Sequence, residues 1–352
     1  MNTRFLDVRD VTSEKTEQAL KEAAAVIRCG GLVAFPTETV YGLGADGTKN
    51  ESAKAIFSAK GRPADNPLIL HIAKPVDAEK YAYTSPLFYK LAEAFMPGPL
   101  TVVLPAKESV PKSVTASLPT VALRIPIHPI ARRLIELSDT AIAAPSANVS
   151  GRPSPTCASD VKVDMEHKID MILDGGECSV GVESTIVKII DENDVVLLRP
   201  GAVTIEDLEA QGINVTVAQA VTAALKEGET VESPGMKYRH YAPSVPLVLL
   251  KGNNKSRQNY LGEINETYAV ICYTEELTTY QRLLGENKVY DLGPENDPKT
   301  HASRLFTLLR RADQNVFNRI YAPLPHTDGI GLALYNRMIR AAAHQIIDTE
   351  EF

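Results

Sequence analysis

Residues 60–71 read KGRPADNPLILH, a Lys-Gly-Arg triplet on a turn stiffened by glycine and proline, directly before an apolar run. If Lys60 and Arg62 lie at i and i+2 of an extended segment, their side chains share a face. A lysine point charge and an arginine fork then converge on one polyanion, and phosphate fits that pairing best. The plain alternative is a solvated turn carrying two cations. No Gly-x4-Gly-Lys-Ser/Thr loop occurs anywhere in the chain, so a nucleotide here would be cradled by cations rather than by a P-loop.

Other stretches also place turn residues and hydrogen-bonding side chains at the ends of apolar runs: PTETVYGLGAD (36–46), LRIP (123–126) and APSANVSGRPSPT (144–156), with ESTIV (183–187) and LRPG (198–201) as possible additions. Such loops suit active sites, because a rigid sheet positions polar groups that need not be buried unpaired. Ser146 and Asn148 alternate at a strand mouth and can donate to a phosphate or a carboxylate; a local Asx or Ser turn is the competing reading. His71 ends a buried strand, where a satisfied core histidine is the commoner outcome.

Elements must hold these groups in place. A chain of 352 residues exceeds one typical core and predicts two domains. The net charge of −7 excludes a polybasic nucleic-acid binder, so any cationic site is local. Cys29, Cys157, Cys178 and Cys272 are scattered, without Cys-x-x-Cys or histidines at metal spacing, which predicts reduced thiols and no structural zinc. With no signal-like N-terminus and no long apolar run, a soluble cytoplasmic protein without membrane association is expected.

Apolar and small residues recur at helical spacing over 16–29, and Gly30-Gly31 ends that helix before the strand LVAFP. Strand-length runs follow at 68–72, 100–105, 121–127, 140–146, 171–176, 184–190 and 195–201. Helical patterns fall at 52–59, 85–95 and 130–137. The reading is an α/β domain over 1–217, with a large twisted open sheet and flanking helices. Beyond a linker at 218–245, VPLVLL, TYAVICY and KVYDLG alternate with helical stretches such as 301–314 and 332–347. They predict a smaller Rossmann-like α/β domain over 246–352. It lacks Gly-x-Gly-x-x-Gly, so dinucleotide binding gains no support there.

The linker contains SPGMKYRHYAP. Serine, proline and glycine fit a tether, but Lys237, Tyr238, Arg239, His240 and Tyr241 in one run combine cations with flat rings, the materials of a lid over a nucleotide.

Lys60-Gly-Arg62 followed by Ser146-Ala-Asn148 resembles the K-x-R…S-x-N signature of the YrdC family. PTETVYGLG, APSANVSG, ESTIV and LRPG are similar to that family's other blocks, in the same order. SPGMKYRHYAP and the smaller domain behind it resemble the two-domain Sua5 branch, and the likeness covers essentially the whole chain. The resemblance implies synthesis of threonylcarbamoyl-adenylate and pyrophosphate from L-threonine, bicarbonate and ATP. This adenylate is the precursor of t6A in ANN-decoding tRNAs, and a downstream tRNA threonylcarbamoyl transferase machinery is the implied partner. Magnesium is implied as well, held through ATP phosphates and not by a protein metal site.

Carried over residue by residue, the likeness implies Lys60 and Arg62 as catalytic. It implies a nucleotide site of Arg62, Asn66, Thr120, Ser146, Asn148, Ser154, Arg199, Lys237, His240 and Tyr241. The implied threonine site comprises Thr39, His71, Arg124, Ser146 and Ser184, and a guanidinium such as that of Arg124 can grip a carboxylate bidentately. Rival readings are a noncatalytic RNA-binding module, with weak RNA contact, and a carbamoyltransferase using a carbamoyl-adenylate.

Overall fold

The computed structural model describes residues 2–221 and 241–351. These divide into two units. One is built on the chain up to Ser150 and from Ser154 to the end of the first described stretch; the other combines Gly151–Pro153 with the residues from Tyr241 on.

In the first unit the strands are β1 (Arg4–Asp7), β2 (Val33–Phe35), β3 (Gly42–Asp46), β4 (Ile69–His71), β5 (Leu100–Pro105), β6 (Thr120–Arg124), β7 (Ile142–Ala143), β8 (Met171–Asp174), β9 (Thr185–Ile189), β10 (Asp194–Arg199) and β11 (Asn214–Val217). Among the described residues they form one sheet in the order β1-β8-β2-β3-β7-β4-β6-β5-β9-β10-β11, with parallel and antiparallel pairs mixed. Helix α1 (Glu14–Arg28) starts where the Ser13 side chain accepts from the Lys15 amide, and it carries Glu14 and Glu17 in its first turn and Arg28 in its last. Those charges suit the ends of a helix dipole. Its apolar stripe of Ala19, Leu20, Ala23, Ala24 and Ile27 packs with α5 (Pro129–Ser138) on Val33, Phe35, Ile142, Ala144, Met171 and Leu173. Further helices are α2 (Asn50–Lys60), α3 (Pro86–Phe95), α4 (Lys112–Thr115), α6 (Ala158–Met165) and α7 (Ile205–Ala210).

Strand register settles which side chains share a face. His71 lies opposite Arg124, Arg124 opposite Thr101, Thr101 opposite Ile186, and Ile186 opposite Arg199 across an irregularity. Because side chains alternate, His71, Thr120, Arg124, Thr101, Ser184 and Arg199 fall on one face. Between them Ile69, Val103, Ala122 and Ile186 form a small apolar cluster of their own. A polar row therefore runs across an apolar floor.

The second unit holds, among the described residues, a five-stranded parallel sheet ordered β14-β13-β15-β12-β16. Its elements are β12 (Leu247–Lys251), α8 (Asn254–Gly262), β13 (Tyr268–Tyr273), α9 (Leu277–Leu284), β14 (Val289–Gly293), α10 (Pro298–Asp313), β15 (Arg319–Pro323), α11 (Gly331–Ala341) and β16 (Ile346–Asp348).

Two expectations are corrected. The helix read over 332–347 stops at Ala341: Ala343 and His344 take positive φ, and the chain reverses into β16. The extended geometry expected for Lys60 and Arg62 is also absent, because Lys60 is the last residue of α2. Gly61 caps that helix in the left-handed region (φ 60°, ψ 35°), and its amide donates to Phe57 and Ser58 carbonyls. Glycine enters that region without the strain that a Cβ would bring. The two cations thus sit on either side of a helix end, not on one face of a strand.

Candidate active site

Lys60 is buried, and its ammonium donates to the main-chain carbonyls of Ser146 and of Asn148, the latter at 2.5 Å. The Ser146 hydroxyl donates to Asn148 Oδ1 at 2.5 Å, so the two side chains do lie together as their alternation suggested. Lys60 thereby ties the end of α2 to the segment that follows β7. Arg62 donates through Nη2 to the carbonyls of Asn66 (3.3 Å) and Pro67 (3.1 Å), which closes the turn before β4. The Asn66 amide nitrogen is buried and has no hydrogen-bond partner among the described residues. An orphaned donor of this kind is costly unless a ligand supplies an acceptor.

Arg124 ends β6 and forms a buried ion pair with Glu38 at 2.7 Å, with both side chains about one-twentieth exposed. Glu38 also accepts from the Ile127 amide at 3.3 Å, and Arg124 Nε reaches the Gly98 carbonyl at 3.4 Å. His71, in register with Arg124, packs edge-on against Phe35 with ring centroids 6.2 Å apart. Its Nδ1 is buried without a partner among the described residues. Burial, and secondarily the charge of Arg124, push its pKa down to about 3, so the ring is a neutral group.

Arg199, at the end of β10, donates to the Ser184 carbonyl (3.0 Å) and to the Ser184 hydroxyl (3.1 Å). That hydroxyl lies 2.8 Å from Thr101 Oγ1, giving a continuous chain from β10 through the residue that precedes β9 to β5. Close approach here demands Gly201, since a Cβ would stand 2.4 Å from the Thr185 nitrogen. Thr39 is fully buried, bonded to Thr37 Oγ1 at 2.9 Å, and its carbonyl accepts from Gly181. Ser154 is fully buried and donates to Glu183 at 2.5 Å. Thr120 stands four residues before Arg124 at the start of β6. Lys237 and His240 lie outside the described residues. Tyr241 is buried in the second unit, stacked on Phe306 with Arg337 over its ring.

Glu38, Thr101 and Glu183 are polar members of these networks that the sequence reading did not name as site residues. Glu38 and Glu183 stand inside quoted motifs, and Thr101 keeps the two-residue alternation with Val103; none carries a signal that it supports another side chain. Among the described residues no group of three or more His, Cys, Asp or Glu side chains is placed to hold a metal, and no helix is long and apolar enough to cross a membrane.

The arrangement offers a guanidinium and an imidazole on one row, with cations, hydroxyls and a carboxamide around the ends of α2 and β7. Comparison with known proteins places the whole chain in a family. The model of the Sua5/YciO/YrdC family, described as telomere recombination, matches residues 25–201, and that of the threonylcarbamoyl-AMP synthase C-terminal domain matches residues 203–343. The threonylcarbamoyl-AMP synthase of Pyrococcus abyssi is 43% identical over 337 residues, 94% of this chain and 96% of the relative. That of Bacillus subtilis is 41% identical over 348 residues, 97% and 98% of the two chains. The crystal structure of P. abyssi Sua5 complexed with L-threonine superposes with a TM-score of 0.88 at 42% identity, covering 98% of this chain and 99% of that one. With both halves matched in order, the chain belongs to the Sua5/YrdC family, in its two-domain form.

Proposed function

We propose that this protein is a threonylcarbamoyl-AMP synthase. The observation that carries the reading is the shared face on which Arg124 and His71 adjoin the Ser184–Arg199 network. An amino-acid carboxylate suits the first pair. The triphosphate suits Lys60, Arg62 and Arg199, with Asn66, Thr120, Ser146, Asn148 and Ser154 donating to the nucleotide.

The reaction needs no covalent protein intermediate. The neutral threonine amine adds to the carbon of bicarbonate or its CO2 equivalent. A C–N bond forms, water is lost from bicarbonate, and a carbamate anion results. A carbamate oxygen then attacks the α-phosphorus of ATP, and the bond to the β-phosphate bridge breaks, releasing pyrophosphate with its electron pair. The protein's task is alignment and charge neutralisation. Arg124 orients the carboxylate, and neutral His71 offers a polar contact without adding charge. Lys60 and Arg62 face the phosphates, and burial keeps water from competing. The donor set of cations, hydroxyls and amides suits phosphate oxygens, so Mg2+ would be carried on the triphosphate, where it offsets charge on the leaving group. Bicarbonate as the carbon source, a tRNA threonylcarbamoyl transferase as consumer of the adenylate, and a cytoplasmic setting complete the proposal.

Incubation with ATP, labelled bicarbonate and threonine tests it. Pyrophosphate that depends on threonine, together with a labelled adenylate, is expected. Pyrophosphate release indifferent to threonine, or no release, overturns the reading.

A further inference from the structure

Residues Gly151–Pro153 cluster with the second unit, although Ser150 and Ser154 on either side belong to the first. Within the second unit, hydrogen bonds from Ala242 and Arg310 hold this tripeptide. Ala242 donates its amide to the Gly151 carbonyl at 2.9 Å, and Arg310 donates Nε (3.1 Å) and Nη2 (2.6 Å) to the single carbonyl of Pro153. Arg310 is 4% exposed. A guanidinium taken out of water at this cost is held in one orientation, and a fork on one oxygen fixes that oxygen in direction as well as distance.

Arg310 and Phe306 stand four apart on α10 and so share a face of the helix. Phe306 stacks on Tyr241 with centroids 5.3 Å apart. One helix face thus grips both the tripeptide and Tyr241, the residue with which the second described stretch opens. On the other side of Pro153, one peptide bond away, Ser154 is fully buried and pinned to Glu183. Any displacement of the Pro153 carbonyl must be absorbed by Ser154 or passed back toward Asn148.

We infer that Arg310 is a positioning residue for the nucleotide site: by fixing the Pro153 carbonyl it sets the loop that joins Asn148 to Ser154. The second domain then contributes to ATP affinity through the placement of that loop and not through a group on the phosphates. The inference rests on the proposed synthase function for what binds there.

Arg310→Met keeps the apolar stem and loses the fork, which limits any loss of folding. The ATP KM should rise about tenfold, as loss of a charge-assisted hydrogen bond implies, while the threonine KM stays within about twofold. Arg310→Lys, which keeps one donor, should recover part of the loss. Equal rises in both KM values, or no change in a folded variant, would overturn the inference. Hydrogen exchange adds a readout independent of turnover: the Val149–Ser154 amides should exchange faster in Arg310→Met while β12 and β13 stay protected, and unchanged exchange across Val149–Ser154 overturns the inference. If the wild-type protein forms no adenylate, the function reading fails, and exchange together with equilibrium binding of ATP still judges Arg310.

Discussion

Two groups of buried cations are held in different ways. Arg124 faces a full carboxylate, Glu38 at 2.7 Å, whereas Lys60 and Arg62 are seen to donate to main-chain carbonyls of Ser146, Asn148, Asn66 and Pro67. A carboxylate cancels the charge of its partner, so Arg124 is left chiefly with direction: a planar fork aimed by Glu38, fit to orient one ligand carboxylate. A carbonyl steers a cation without cancelling its charge. Lys60, held against the Ser146–Asn148 segment, is the group proposed to meet a polyanion that gains charge in the transition state, where field strength counts for more than angle.

The sharpest way to break this contrast is Lys60→Ala. Adenylate synthesis at saturating substrates should drop by about 10²–10³-fold, the range for loss of one group that stabilises developing charge, in a protein that remains folded. Turnover near wild type would remove Lys60 from the chemistry.

Next in size come the two members of the ion pair. Arg124→Ala should raise the threonine KM about tenfold or more and leave the ATP KM nearly flat. Glu38→Gln should move the same constant in the same direction, since it frees the fork from its aim, and lower stability by about 2 kcal/mol in denaturant unfolding because a buried charge loses its counter-charge. Equal effects on both substrates would make the pair structural.

The last effect concerns His71 and is read in stability, not in turnover. In the unfolded chain its imidazole takes up a proton below about pH 6.5, whereas in the folded protein burial postpones uptake to about 3. The unfolded state therefore binds more protons through that window. Stability falls as pH drops from about 6.5 toward 3, and the full value holds above it. His71→Gln should flatten the slope of Tm against pH between those limits, and an unchanged slope would mean that the ring titrates normally.

Much of this was legible in the residues. The apolar runs that became β4, β5, β9 and β10 announce themselves by β-branched and leucine content, and α1 and α5 by spacing. Strand β3, GLGAD, gives no strand signal, because glycines and an aspartate lack strand propensity; Gly42 and Gly44 are there because Phe35 fills the space beside them. In the second unit β15 and β16 are masked in the sequence, one ending in proline and the other following an alanine-rich stretch that mimics helix. The cations and hydroxyls of the site were found because they could touch a ligand. Glu38 and Thr101 were not, because their contacts are to Arg124 and to Ser184, and sequence alone does not say which distant strand will lie alongside.

The pairing of Arg4 with Met171, and of Ala45 with Ala143, bears on how the molecule is made. At roughly 5–20 residues per second, the ribosome releases β1 well before its neighbour β8 exists, and Glu38 well before its ion-pair partner Arg124. Pairings of such long range close slowly, since the loop entropy must be met before any contact rewards it. The residues of β1, β2 and β3 are thus made before those of β7 and β8, with which they pair. Strand edges that stay unpaired during synthesis are the burden that this strand order imposes on the cell.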